Sequence, residues 1–171
     1  SSAQSVTLNA LPTAIVTNSG SNVLCSGGSA TLSAPSAMSS YLWSDGSTTQ
    51  SITVASSGNY SVTVTNADGC SVTSAATSIT TSQIITPSIA SSSSTTICSG
   101  DAVTLSVPSG YASYLWSNGS TTSSTSASTA GNYSVTVTNT DGCSVTTTAT
   151  AVTVNALPTA TVSNLTNTFD F

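Results

Sequence analysis

From Tyr60 to Thr65 the chain reads Tyr-Ser-Val-Thr-Val-Thr, and the same six residues return at Tyr133–Thr138. Strict alternation of aromatic or β-branched residues with hydroxyl residues marks a strand with one buried and one wet face. The pattern predicts strands at Thr13–Thr17, Ser29–Ala34, Ser40–Ser44, Thr49–Ala55, Asn59–Thr65 and Cys70–Thr80, with a short extra strand near Asn22–Leu24. Asp45-Gly46 and Asn118-Gly119 are two-residue hairpin signals of the type I′ kind, which asks both residues for positive φ. In the last strand the apolar phase slips between Val72 and Ile79, and again between Val145 and Val152, which predicts a one-residue bulge in each copy. No segment has helical periodicity. Short strands with a turn signal every 8–12 residues predict an all-β sandwich.

One offset relates the two halves. Cys25, Trp43 and Cys70 recur 73 residues later as Cys98, Trp116 and Cys143, while Ala10-Leu11-Pro12 returns two periods on at Ala156-Leu157-Pro158. Such spacing indicates serial domains of one type. Residues 1–9 then read as the last strand of a preceding repeat, 10–82 as repeat one, 83–155 as repeat two, and 156–171 as the start of a further domain. Phe171 stands where the next cysteine would fall, and Phe169 and Phe171 are the only phenylalanines, so that domain is expected to be of another type. The joins at 80–88 and 153–161 hold Pro87 and Pro158 and no glycine, which favours stiff connections and a rod-like array.

Composition narrows the chemistry. There is no Lys, Arg or His, and all five acidic residues are aspartates: Asp45, Asp68, Asp101, Asp141 and Asp170. General acid–base catalysis usually needs His, Glu or Lys, and a Ser-His-Asp site needs the histidine. The scattered aspartates do not form a calcium-loop spacing, and turn formation is the simpler role for Asp68 and Asp141. An enzyme is not expected, nor any cofactor or metal. Without cations there is little to bind nucleic acid phosphates. No apolar run reaches the ~18 residues of a membrane span, so membrane insertion is not expected either. Abundant Ser and Thr with low charge also describe mucin-like disorder. Against that stand the regular alternation, two Trp, five Tyr and four Cys.

Trp43 and Trp116, on the third strand of each repeat, are expected to fill the space between sheets. Tyr60 and Tyr133 are expected to open the buried face of the following long strand. Sugar stacking is the sharper alternative for the tryptophans, and core packing the better one. Four cysteines allow three pairings. Cys25–Cys70 and Cys98–Cys143 keep each bond inside its own repeat and close loops of equal span, so one intradomain disulfide per repeat is predicted. Oxidised cysteines place the protein outside the cytoplasm, as an exported protein. An immunoglobulin domain would carry its second cysteine near Val62, two residues after the tyrosine, whereas here it is Cys70.

The motifs CSGG-x-ATLSA from Cys25, YLWSDG-STTQSITV from Tyr41, SGNYSVTVTN from Ser57 and DGCSVT from Asp68 resemble the immunoglobulin-like repeats of giant Bacteroidetes cell-surface adhesins. The SprB-type gliding-motility adhesins, exported by type IX secretion, are the nearest likeness. It covers residues 10–155. The resemblance implies tandem immunoglobulin-like β-sandwich domains in an extracellular filament at the cell surface, supporting attachment and gliding. Three roles fit: a structural stalk contacting chiefly neighbouring repeats, repeats that bind surface polysaccharide or another substratum weakly with avidity, and a self-assembling filament subunit. Outward threonine rows such as Thr63 and Thr65 are the candidate surface for direct binding, although threonine is also an ordinary exposed strand residue.

Overall fold

The computed structural model describes residues 3–161, and among these every regular element is a β-strand. The chain divides into two compact units, Ser1–Ile84 and Ile85–Phe171. In the first unit the strands are β1 (Thr17–Asn18), β2 (Val23–Cys25), β3 (Ala30–Ser33), β4 (Ser40–Trp43), β5 (Ser51–Val54), β6 (Gly58–Tyr60), β7 (Val62–Thr65), β8 (Ser71–Thr73) and β9 (Thr77–Ser82). The second unit repeats them as β10 (Ala90–Ser91), β11 (Thr96–Cys98), β12 (Val103–Ser106), β13 (Ser113–Trp116), β14 (Ser124–Ala127), β15 (Gly131–Tyr133), β16 (Val135–Thr138), β17 (Ser144–Thr146) and β18 (Thr150–Asn155).

One layer of the first unit is β1-β3-β5, antiparallel throughout. The other is built from β2-β9-β6 and β4-β7-β8. Only Ser61 separates β6 from β7, and residues 74–76 separate β8 from β9, so two long strands run through both ladders. Tyr60 pairs with Thr77 and Thr63 with Thr73. The β8–β9 side therefore carries one more residue than its partner, which is the predicted bulge. Strand β2 adds to this layer in parallel to β9, with Cys25 opposite Ser82. The second unit has the same pairings, with Cys98 opposite Asn155.

The core lies between the layers. Ala30, Leu32, Ile52 and Val54 come from one side, and Trp43, Val62, Val64 and Ile79 from the other, all buried. Val103, Leu105, Trp116, Val135, Val137 and Val152 form its equivalent in the second unit. Alternation put these residues on one face, and removing their apolar area from water is the main gain of folding. Seven strand paths in two layers, with the tryptophan packed between, make each unit an immunoglobulin-like β-sandwich.

Several expectations need correction. The turn after β4 is a three-residue loop, closed by bonds from the Trp43 N–H to the Ser47 carbonyl at 2.8 Å and from the Gly46 N–H to the Trp43 carbonyl at 2.9 Å. Gly46 alone has positive φ, at 88°, where the type I′ reading asked it of Asp45 as well. A type I turn followed by one left-handed glycine places the strain on the residue without a Cβ. Asp45 keeps ordinary φ and accepts the Ser47 N–H at 2.9 Å. The first strand is the two-residue β1 rather than Thr13–Thr17, and residues 3–9, expected as a strand of a preceding repeat, carry no strand and are exposed. The residues 162–171, with Phe169 and Phe171, lie outside the described residues.

The cysteines depart most. Cys25 and Cys143 are disulfide-bonded, whereas Cys70 and Cys98 are free thiols. Neither Cys25–Cys70 nor Cys98–Cys143 forms. Cys25 ends β2, alongside the far end of β9. Cys70 lies just before β8, at the other end of the same long strand. About eleven residue steps separate the two levels, roughly 35 Å at ~3.3 Å each. A disulfide needs Cα atoms about 4.4–6.8 Å apart. Cys98, opposite Asn155, and Cys143, just before β17, are separated in the same way.

Candidate functional site: a hydroxyl-lined sheet face

Trp43 and Trp116 are each 2% exposed, which removes them as stacking platforms. Each indole N–H donates to a main-chain carbonyl, Thr49 for Trp43 and Thr122 for Trp116, both at 2.8 Å. The polar end of the ring is thereby satisfied within the core, as a buried indole requires. Tyr133 is buried and Tyr60 half-buried, packed against the core. Their hydroxyls donate to the carbonyls four residues upstream, Ser56 at 3.2 Å and Thr129 at 3.0 Å, pinning the loop that leads into β6 and β15.

The outer face of β4-β7-β8 presents side chains in two cross-strand rows. Leu42, Thr63 and Thr73 form one, and Ser40, Thr65 and Ser71 the other. Hydroxyls meet across the strands, Thr63 with Thr73 and Thr65 with Ser71, both at 2.8 Å. The second unit repeats the rows with Thr136 and Thr146 at 2.7 Å and Thr138 and Ser144 at 2.9 Å. Each pair consumes one hydroxyl hydrogen and leaves the other hydrogen and spare lone pairs facing water. Leu42 and Leu115 stand beside them, 55% and 57% exposed. The result is an uncharged surface of hydroxyl pairs with one apolar side chain.

Alternation made the threonine rows legible in sequence. Their pairing was not legible, because it depends on the register of β8 against β7 after an Asn66–Gly69 turn. That turn is set by the Asn66 side chain, whose Oδ1 accepts the N–H groups of Asp68 at 3.1 Å and Cys70 at 2.9 Å. Asn139 does the same for Asp141 at 3.0 Å and Cys143 at 2.9 Å. Asp68 and Asp141 thus sit in hairpin turns. Among the described residues there is no pocket and no group of three side chains able to hold a metal ion. Among the described residues no helix is long and apolar enough to cross a membrane.

No protein-family model and no curated protein matches the chain. Among solved structures it is similar to the three N-terminal domains of the bacteriophage RB49 highly immunogenic outer capsid protein, at 22% identity and a TM-score of 0.43, over 83% of this chain and 59% of that one. Murine CEACAM1b is 14% identical with a TM-score of 0.43, over 84% of this chain and all of that one. The fibronectin(III)-like modules of Clostridium thermocellum CbhA are 15% identical with a TM-score of 0.44, covering 88% and 100%. This is a likeness of fold.

Proposed function

We propose that this chain is a stalk segment of a large extracellular adhesin filament, a non-enzymatic spacer that supports surface attachment and gliding. The observation that carries the reading is duplication: two units share strand pairings, hydroxyl rows and buried tryptophan, as expected when length rather than a unique site is needed. The motif resemblance to gliding-adhesin repeats supports it, and with it type IX export. The disulfide-bonded state of Cys25 and Cys143 fits an exported, cell-surface protein. Its partners in this reading are neighbouring repeats, with no nucleic acid, inserted membrane or cofactor.

A second reading, in which the repeats themselves hold polysaccharide, is favoured by one specific observation. Both units show the same uncharged hydroxyl face, and a weak contact repeated along an array gains by avidity. Binding of the purified two-unit chain to glycans, polysaccharide films and glass separates the two. Absence of saturable binding supports the spacer. Saturable binding that is insensitive to salt, and is lost when Thr63, Thr73, Thr136 and Thr146 are all replaced by Lys, overturns the spacer in favour of the adhesive repeat.

A further inference from the structure

Each unit carries one cysteine at either end of the same sheet. Call the end bearing the Asn66–Gly69 turn the entry end, and the end where Cys25 lies opposite Ser82 the exit end. Cys70 and Cys143 are then entry cysteines, and Cys25 and Cys98 exit cysteines. The two bonded cysteines are one of each kind, and so are the two free ones. The free thiols also stand on the same backbone frames as their bonded counterparts. Cys70 and Cys143 each donate their N–H to an asparagine Oδ1 at 2.9 Å. Cys25 and Cys98 each end a strand parallel to the last one and open a tight turn, closed by Gly28 at 2.8 Å or Asp101 at 3.0 Å donating to the cysteine carbonyl. Gly27 at φ 79° and Gly100 at φ 98° make the same left-handed step in those turns. Cys98 is exposed and Cys70 half-buried, so the thiols are within reach of a partner.

We propose that Cys70 and Cys98 are connector thiols: Cys98 at the exit end of one copy of this chain forms a disulfide with Cys70 at the entry end of a second copy. Pairing of unlike ends keeps every unit pointing the same way and lets the chain of copies grow, whereas a like-to-like bond stops at a dimer. The oxidant is a small-molecule disulfide such as oxidised glutathione, or a disulfide-carrying oxidase. The Cys98 thiolate attacks one glutathione sulfur, the glutathione S–S bond breaks, and one glutathione thiolate leaves. The Cys70 thiolate of the second copy then attacks the Cys98 sulfur of that mixed disulfide and releases the second glutathione. Two thiols lose two protons and two electrons, and the oxidant takes up both electrons.

The test is incubation of the intact chain, purified without reductant, in an oxidised and reduced glutathione buffer, followed by non-reducing electrophoresis. The wild type is expected to form a ladder of dimers, trimers and larger species that collapses with dithiothreitol. Cys70→Ser alone and Cys98→Ser alone should each stay monomeric, and their mixture should stop at a dimer containing the Cys98–Cys70 bond. Both substitutions leave the bonded cysteines in place, and circular dichroism checks that the variants are folded. A wild type that remains monomeric overturns the proposal. So does a dimer formed by either single variant alone, which would signify like-to-like pairing.

Discussion

Ser74 repairs the backbone of Val62: its Oγ accepts the buried Val62 N–H at 3.1 Å, at the point where the bulge interrupts the ladder between the two long strands. The Ser74 N–H donates in turn to the Val62 carbonyl at 2.9 Å. An extra residue in one strand leaves the opposite strand short of a partner, and a buried N–H without one is costly. In the second unit Thr147 does the same for the Val135 N–H at 3.1 Å.

Ser74→Ala is therefore expected to destabilise the first unit by about 1–3 kcal/mol, the cost of a buried donor left unpaired. Ser74→Thr, which copies the second unit, should stay within about 1 kcal/mol of wild type, as a small volume change often does. Urea unfolding followed by tryptophan fluorescence compares them, and equal midpoints for the Ala and Thr variants would remove the role assigned to the hydroxyl.

Ala37 has φ of 64°, and its counterpart 73 residues on is Gly110 at φ 110°. Left-handed backbone costs a residue with a Cβ about 1–2 kcal/mol, partly offset by the extra entropy glycine loses on folding. Ala37→Gly should leave the first unit unchanged or more stable by up to about 1 kcal/mol, and Gly110→Ala should weaken the second by about 1 kcal/mol. No atom outside its own neighbours lies within 4 Å of a Cβ built on Gly110, so the loss would come from the backbone alone. Thermal melts read both, at about 4–8 °C per kcal/mol for a unit of this size.

Each unit holds one tryptophan, so each reports on itself. Trp43→Ala should cost about 3–5 kcal/mol by opening a cavity between the layers, a large part of a small domain's stability. The first unit should then lose its cooperative transition. Trp116 fluorescence in the same variant follows the second unit.

Alkylation under native conditions without reductant should label Cys70 and Cys98 and spare Cys25 and Cys143, with Cys98 reacting faster because it is exposed. Mapping needs chymotrypsin or an Asp-directed protease, since the chain offers no Lys or Arg for trypsin. A Cys25–Cys70 linked peptide would contradict the end-to-end placement.

Strand content, the inward face of each strand, the bulge and the repeat are all legible in the amino-acid order. All of these are local: alternation is set by the pleat, the phase slip between Val72 and Ile79 is a change of parity, and the offset of 73 is arithmetic on the chain. It also identified the tryptophans as core residues, because their place on the third strand left them between two layers. Tertiary structure alone decided where β2 goes. Asn22–Leu24 could be seen as an extra strand, but its parallel pairing beside β9 is a long-range choice, and that choice carries Cys25 to the opposite end of the sheet from Cys70. Spacing along the chain reports loop length, not which end of a sandwich a residue reaches. Two cysteines placed symmetrically in the sequence therefore looked like partners, and the pairing of strands set them roughly 35 Å apart.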